Sequence, residues 1–214
     1  MSLSEIAVPV RRKNAPFVRD AVPADHAVIR DVVNAAYAQY AELIPADIFS
    51  RYLASLLDLE THASQGRLLV AQAEGQVCAF GAFYPDASAR EVGWPAGWAT
   101  GRALAVHPAA RGHGAARALL AAGERLAGDS GSLVLAFHTY SFMTSAIALY
   151  ERHGYHRSPE YDFDMAARFG RSSAAPIIAM AYARVLTQAP VHAHGMRRAR
   201  CRAESTHPKW RNHQ

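Results

Sequence analysis

The spacing of apolar residues divides this chain into alternating strand-like and helix-like segments. After a short strand at Phe17 to Arg19, Pro23 and Asp25 introduce a stretch whose apolar positions Val28, Ile29, Val32, Val33, Ala36, Tyr37 and Tyr40 recur at helical spacing. A second helix is predicted from Ala46 to about Leu59. The runs "RLLVAQAEG" and "QVCAFGAFY" meet at Glu74-Gly75, the pattern of an antiparallel hairpin. "PDASAREVGWPAGW" has no periodicity and reads as a loop, and "TGRALAV" is the next strand. A helix beginning near Ala115 is ended by Gly128 to Gly131, and "SLVLAFH" forms a further strand. "TSAIALYERHG" is a short helix with Thr144 as N-cap and Gly154 at its C-terminal end, and "YHRSPEYDF" and "PIIAMAYARVL" close the chain as a pair of strands. The order β, α, α, three strands, α, β, α, β, β is that of an α/β (α+β) protein.

Composition sets the domain count. With 214 residues, half of them hydrophobic, the chain is sized for one core with tails: an extension over 1–15, a domain over 16–186 and a tail over 187–214. The net charge of +5 belongs to that tail, which holds Arg197, Arg198, Arg200, Arg202, Lys209 and Arg211 against Glu204; subtracting these from 23 and 18 leaves 17 of each sign in residues 1–186. With little apolar periodicity the tail reads as disordered, and it alone supports a nucleic-acid-binding reading. No apolar run approaches the roughly 18 to 20 residues of a membrane span, and the N-terminal charges follow the apolar part, the reverse of a signal peptide. Cys78 and Cys201 form neither a disulfide framework nor a metal cluster. A cytoplasmic protein without membrane contact or a metal is expected.

The most informative stretch is "ALAVHPAARGHGAARALL", residues 103–120. A strand ending at Val106 turns through Pro108 into a helix whose first N–H groups have no partner and lie at the positive end of its dipole. Gly112 and Gly114 let backbone approach an anion, and Ala115 and Ala116 keep the helix mouth free of bulk. A nucleotide P-loop is excluded because "GAARALL" lacks its lysine and hydroxyl residue. A dinucleotide fold is excluded because the next strand, "SLVLAF", carries no acidic residue for a ribose.

Arg111-Gly112-His113-Gly114-Ala115-Ala116, preceded by "VHP", resembles the pyrophosphate-binding signature of the GNAT superfamily of acyl-CoA-dependent N-acetyltransferases. A second family motif is matched by "AIALYERHGY", Ala146 to Tyr155. The resemblance covers residues 16–186 and implies a mixed central sheet of six to seven strands, splayed between strands four and five and flanked by about four helices. It also implies acetyl-CoA as acyl donor. Leu104, Ala105 and Val106 would hold the pantetheine arm as an added strand, with Arg111 and the N–H groups of Gly112, His113, Gly114, Ala115, Ala116 and Arg117 around the pyrophosphate. Tyr150 would protonate the leaving thiolate.

This chain departs from the family pattern at two positions. Thr100 stands where many members carry a glutamate base, and Met143 where an asparagine is common. Some members place the base twelve residues before the tyrosine, which is His138 here; an ordinary imidazole would give an acidic limb near pH 6.5. His107 and His113 have weaker claims. For the acceptor the relevant regions offer Tyr37, Tyr40, Tyr84, Trp94, Trp98, Tyr140 and Phe142, with Glu91, Asp86 or Glu42 as partners for a cationic amine. The resemblance implies an N-acetyltransferase acting on a primary amine of a small molecule or peptide, with a homodimer kept open. Its alternative is a non-catalytic acyl-CoA-binding relative, which Thr100 favours and Tyr150 opposes.

Overall fold

The computed structural model describes residues 15–88, 93–170 and 176–186. The expectations for the N-terminal extension and the basic tail, with Cys201 and Glu91, lie outside the described residues. β1 (Phe17–Asp20) is followed by α1 (His26–Tyr37), α2 (Ala46–Leu57), α3 (Leu59–Gln65), β2 (Arg67–Ala73), β3 (Gln76–Tyr84) and β4 (Trp98–Val106). Then come α4 (Ala115–Asp129), β5 (Val134–Thr139), α5 (Thr144–Arg152), β6 (His156–Arg157), β7 (Phe163–Asp164), α6 (Met165–Arg168) and β8 (Ile178–Val185). No helix among the described residues is long and apolar enough to cross a membrane.

The sheet runs β1-β2-β3-β4-β5-β8-β6, with β7 on β8. β4 and β5 are parallel and every other pair is antiparallel. A parallel neighbour requires a crossover, and α4 supplies it. Alternation along the strands buries one face against α1 and α2, through Phe80, Ala82 and Tyr84, and the other against α4 and α5, through Ala79, Phe83, Leu135 and Phe137.

Two segments differ from their expected form. The helix predicted to run to Leu59 ends at Leu57, because Asp58 leaves helical geometry and its carboxylate accepts the Thr61 N–H at 3.1 Å, capping α3. The strand predicted from "YHRSPEYDF" breaks into β6, a 3-10 turn over Pro159–Tyr161, and β7. Pro159 has no N–H for a ladder, and Asp162 holds the kink by accepting from Arg157 at 2.8 Å and from the Ala181 N–H at 2.8 Å. The sheet therefore has eight strands rather than six or seven, and the described residues form six α-helices rather than four.

The splay expected between strands four and five is present. Pairing of β4 with β5 covers Trp98↔Val134 to Gly101↔Phe137 and ends there. Beyond it β4 stays on β3 and β5 on β8. Where they part, β4 carries a bulge: Phe80 faces Ala105 while Ala82 faces Arg102, and Ala103 sits at φ 56°. An extra residue on one strand turns it away from its partner.

Gly101 is required at the point of separation. A Cβ there would collide with Cε1 of Phe137, a fully buried ring. Gly101→Ala is expected to cost about 1–3 kcal/mol as overpacking. Because Phe137 also carries the Tyr150 ring, the strain should reach Tyr150 as well; urea midpoints of wild type and variant check the cost.

Candidate active site

The opening between β4 and β5 leads into a single cleft of about 1040 Å³ that passes between the two halves of the sheet. Its lining includes Leu104, Ala105, Val106, Arg111, Gly112, Gly114, Ala115, Ala116, Arg117, His138 and Tyr150. Of the residues expected to bind the donor or carry the chemistry, His113 alone is not among those lining it.

On the α4 side the chain leaves β4 through His107, whose Nδ1 accepts the Ala109 N–H at 3.3 Å, and a 3-10 turn over Pro108–Ala110. Gly112 and Gly114 have φ of 78° and 85°, the left-handed region that glycine enters without strain. A Cβ on either would meet nothing within 4 Å, so the space beside this turn is open. The intrahelical bonds of α4 begin with the Ala118 N–H on Gly114. The N–H groups of Ala115, Ala116 and Arg117 thus have no helical acceptor and face an open, positively polarised space. Arg111 directs its guanidinium to α1, toward the Ala36 carbonyl at 3.3 Å and Gln39 Oε1 at 3.4 Å. From Arg102 to Val106 the edge of β4 facing β5 has no strand partner among the described residues.

Tyr150 lies on the same side as α4. Its ring stacks on Phe137 with centroids 4.9 Å apart and also touches Tyr155 and Tyr182. Burial, with a smaller contribution from Tyr52, pushes its phenol well above the usual range, so it remains protonated.

His138 follows Phe137 on β5 and therefore faces the opposite side. It stacks on Trp94 at 4.3 Å, meets Phe163 edge-on at 4.7 Å, and places Nε2 2.9 Å from the Tyr161 carbonyl. A carbonyl only accepts, so Nε2 carries the proton and Nδ1 the lone pair. Desolvation lowers the imidazole pKa to about 4, against a weaker opposing effect of the Tyr161 bond. Thr100, in the place of the family's glutamate, donates its hydroxyl to the Ala136 carbonyl at 2.8 Å. Met143 is buried at the start of α5.

On the α1 and α2 side the cleft is aromatic. Tyr37, Tyr40, Tyr84, Trp94 and Tyr140 line it, as expected, whereas Phe142 backs Tyr140 and Tyr40, and Trp98 backs Trp94. Tyr52 and Phe163 also line it, together with Arg102 and Arg168, none of which was singled out in the sequence. Tyr52 packs between Tyr37 and Tyr140 at 5.9 and 5.5 Å. Two of the expected carboxylates are elsewhere: Asp86 is exposed and bonded to Ser88 at 2.6 Å, and Glu42 is exposed. Among the described lining residues there is no Asp or Glu.

Residues 64–157 match the family model described as an acetyltransferase (GNAT) domain. No curated protein matches the sequence. Among solved structures, the chain is similar to a GCN5-related N-acetyltransferase from Rhodopseudomonas palustris, at 20% identity and a TM-score of 0.57 over 81% of this chain and 98% of that one. It is also similar to PaiA N-acetyltransferase from Thermoplasma acidophilum in complex with coenzyme A, at 12% identity and a TM-score of 0.57 over 78% and 98%. A third is the ribosomal-protein-S18-alanine N-acetyltransferase from Escherichia coli, at 17% identity and a TM-score of 0.56 over 84% and 99%. Both sequence motifs lie inside the segment that matches the acetyltransferase (GNAT) domain model, and the chain shares its fold with these structures.

Proposed function

We propose that the protein moves the acetyl group of acetyl-CoA to a primary amine by direct attack in a ternary complex. The observation that carries this reading is the single cleft joining an anion-accepting helix mouth on one side of the sheet to an aromatic pocket on the other, through the gap between β4 and β5. The donor fits the residues present. Open space beside Gly112 and Gly114 and the unpartnered N–H groups of α4 suit a pyrophosphate, and the free edge of β4 at Leu104, Ala105 and Val106 suits an amide-bearing arm laid alongside as an added strand. Bound there, acetyl-CoA supplies the activated acyl carbon.

Each remaining role falls to a residue of this chain. The amine nitrogen forms its bond to the acyl carbon as the carbon–sulfur bond breaks. Tyr150 donates its phenolic proton to the departing sulfur, and a phenol held in its neutral form by burial is suited to that. His138 accepts the proton released from nitrogen. A base with a pKa of about 4 does not deprotonate a free ammonium, but the N–H becomes acidic once nitrogen bonds to the acyl carbon, and Nδ1 then relays the proton to solvent.

Incubation with acetyl-CoA and a broad amine and peptide panel, reading free thiol, tests the proposal; amine-dependent thiol release is expected. The second reading, acyl-CoA binding without chemistry, is favoured by the Thr100 hydroxyl being tied to Ala136, and it predicts calorimetric acetyl-CoA binding with no thiol release on any acceptor.

His138 also has a pH signature. The acidic limb expected near pH 6.5 moves to about pH 4, because the buried imidazole stays neutral until then. His138→Ala should lower turnover at pH 7 by about 10², the low end for loss of a general base. Stability follows the same shift. Since the unfolded chain takes up the proton below about pH 6.5 and the folded one only near pH 4, stability is full above pH 6.5. It declines by up to about 3 kcal/mol as pH falls through that window. Urea titrations of wild type and His138→Phe between pH 7 and 4 should show the slope in the first and a flatter line in the second.

A further inference from the structure

We infer that the acceptor amine also carries a carboxylate, as an amino acid does, and that Arg102 receives it; this rests on the acetyltransferase reading above. Arg102 follows Gly101, where β4 leaves β5, and its side chain lines the acceptor half of the cleft. Its Nη2 donates to Ser55 Oγ at 2.6 Å, and that hydroxyl donates in turn to the Tyr52 carbonyl at 2.6 Å. The guanidinium is thereby held from α2 by a neutral group, with donors left over for a ligand. No described carboxylate pairs with it, and none lines the cleft.

A half-buried cation beside tyrosine rings, with no counter-ion in the described lining, is poorly compensated until an anion arrives. A second arginine lines the same cleft. Arg168 lies over the Phe163 ring at 5.7 Å and acts with Arg102 on the same two neighbours, His138 and Tyr140, lowering the proton affinity of both. Such surroundings repel polyamines and other multiply cationic acceptors and attract a carboxylate, which an arginine fork binds with two parallel bonds. They also disfavour the ammonium form of the acceptor, which eases the loss of its proton in a site where Thr100 replaces a glutamate. The tyrosine walls suit an apolar or aromatic side chain rather than a polar one.

The test uses matched triads of amino acid, amino-acid amide and decarboxylated amine, built on phenylalanine, leucine and methionine, with saturating acetyl-CoA. For the triad that reacts best, kcat/KM for the acid should exceed the amide and the amine by about a hundredfold, the worth of a charge-assisted pair. Arg102→Gln should collapse that ratio to within about threefold, while Arg102→Lys, which keeps the charge and loses the fork, should retain a preference of about tenfold. A binding arm needs no turnover: calorimetry of 3-phenylpropanoate on the CoA-loaded protein should show at least tenfold weaker binding in Arg102→Gln. Equal rates across a triad, an unchanged ratio in Arg102→Gln, or equal binding of 3-phenylpropanoate by both proteins overturns the inference. Thiol release with amines but no carboxylate preference removes the inference alone. Absence of thiol release with every acceptor removes the acetyltransferase reading, and the binding arm still judges Arg102.

Discussion

Tyr150→Phe is expected to cut amine-dependent thiol release by about 10²–10⁴ while leaving acetyl-CoA affinity and stability close to wild type. The substitution removes one oxygen and keeps the ring. The contacts that hold the side chain, the stack on Phe137 and the packing against Tyr155 and Tyr182, are made by the ring, so phenylalanine should occupy the same place. What disappears is a proton donor kept protonated by burial, and the sulfur must then leave as a bare thiolate or wait for water. Tyr52 is the control, because its phenol is near enough to perturb Tyr150 and it packs between two other tyrosines of the acceptor pocket. Tyr52→Phe should act mainly through KM for the amine. If Tyr150→Phe retains kcat, the acid is not Tyr150; if Tyr52→Phe shows the kcat loss instead, the assignment moves across the cleft.

Gly114→Trp is expected to weaken acetyl-CoA binding by at least about 10³-fold without unfolding the protein. Gly114 caps α4 at φ 85°, and a Cβ there meets no protein atom within 4 Å. An L-residue pays roughly 1–2 kcal/mol for that conformation, within the stability of a domain this size. The indole then occupies the open space before the α4 N–H groups. Losing two or three charge-assisted hydrogen bonds of about 1.5–3 kcal/mol each accounts for the factor. Gly114→Ala, which carries the same backbone strain without the bulk, separates the two effects and should weaken binding far less. Calorimetry with acetyl-CoA and a urea titration decide. Wild-type affinity in Gly114→Trp would remove the phosphate-site assignment, and with it the donor half of the proposed function.

Much of this was legible because it is local. The helix stripe from Val28 to Tyr37 and the hairpin around Glu74-Gly75 are set by spacing over a few residues, and the structure has α1, β2 and β3 where that spacing puts them. The glycine turn at 111–114 and the helix after it need only eighteen consecutive residues to be recognised, since the chemistry of a helix mouth is made by backbone that is contiguous in sequence. The breaks at Asp58 and Pro159 were local too, but each depends on a competing bond, from Thr61 and from Asp162 respectively, that an apolar count does not register.

The proposed acceptor site was decided elsewhere. Arg102 meets Ser55 from 47 positions away, and His138 is enclosed by Trp94, Tyr161 and Phe163, which come from two separate segments. Periodicity reports that a face is buried and is silent about what buries it. The acid limb read from the sequence at pH 6.5 was therefore an unburied imidazole's value, and the carboxylates expected near the amine, Asp86 and Glu42, are exposed outside the cleft. Backbone motifs carry their function within a short stretch of chain. A charge in a cleft takes its meaning from its neighbours' desolvation and field, and those are assembled only when β4 and β5 part.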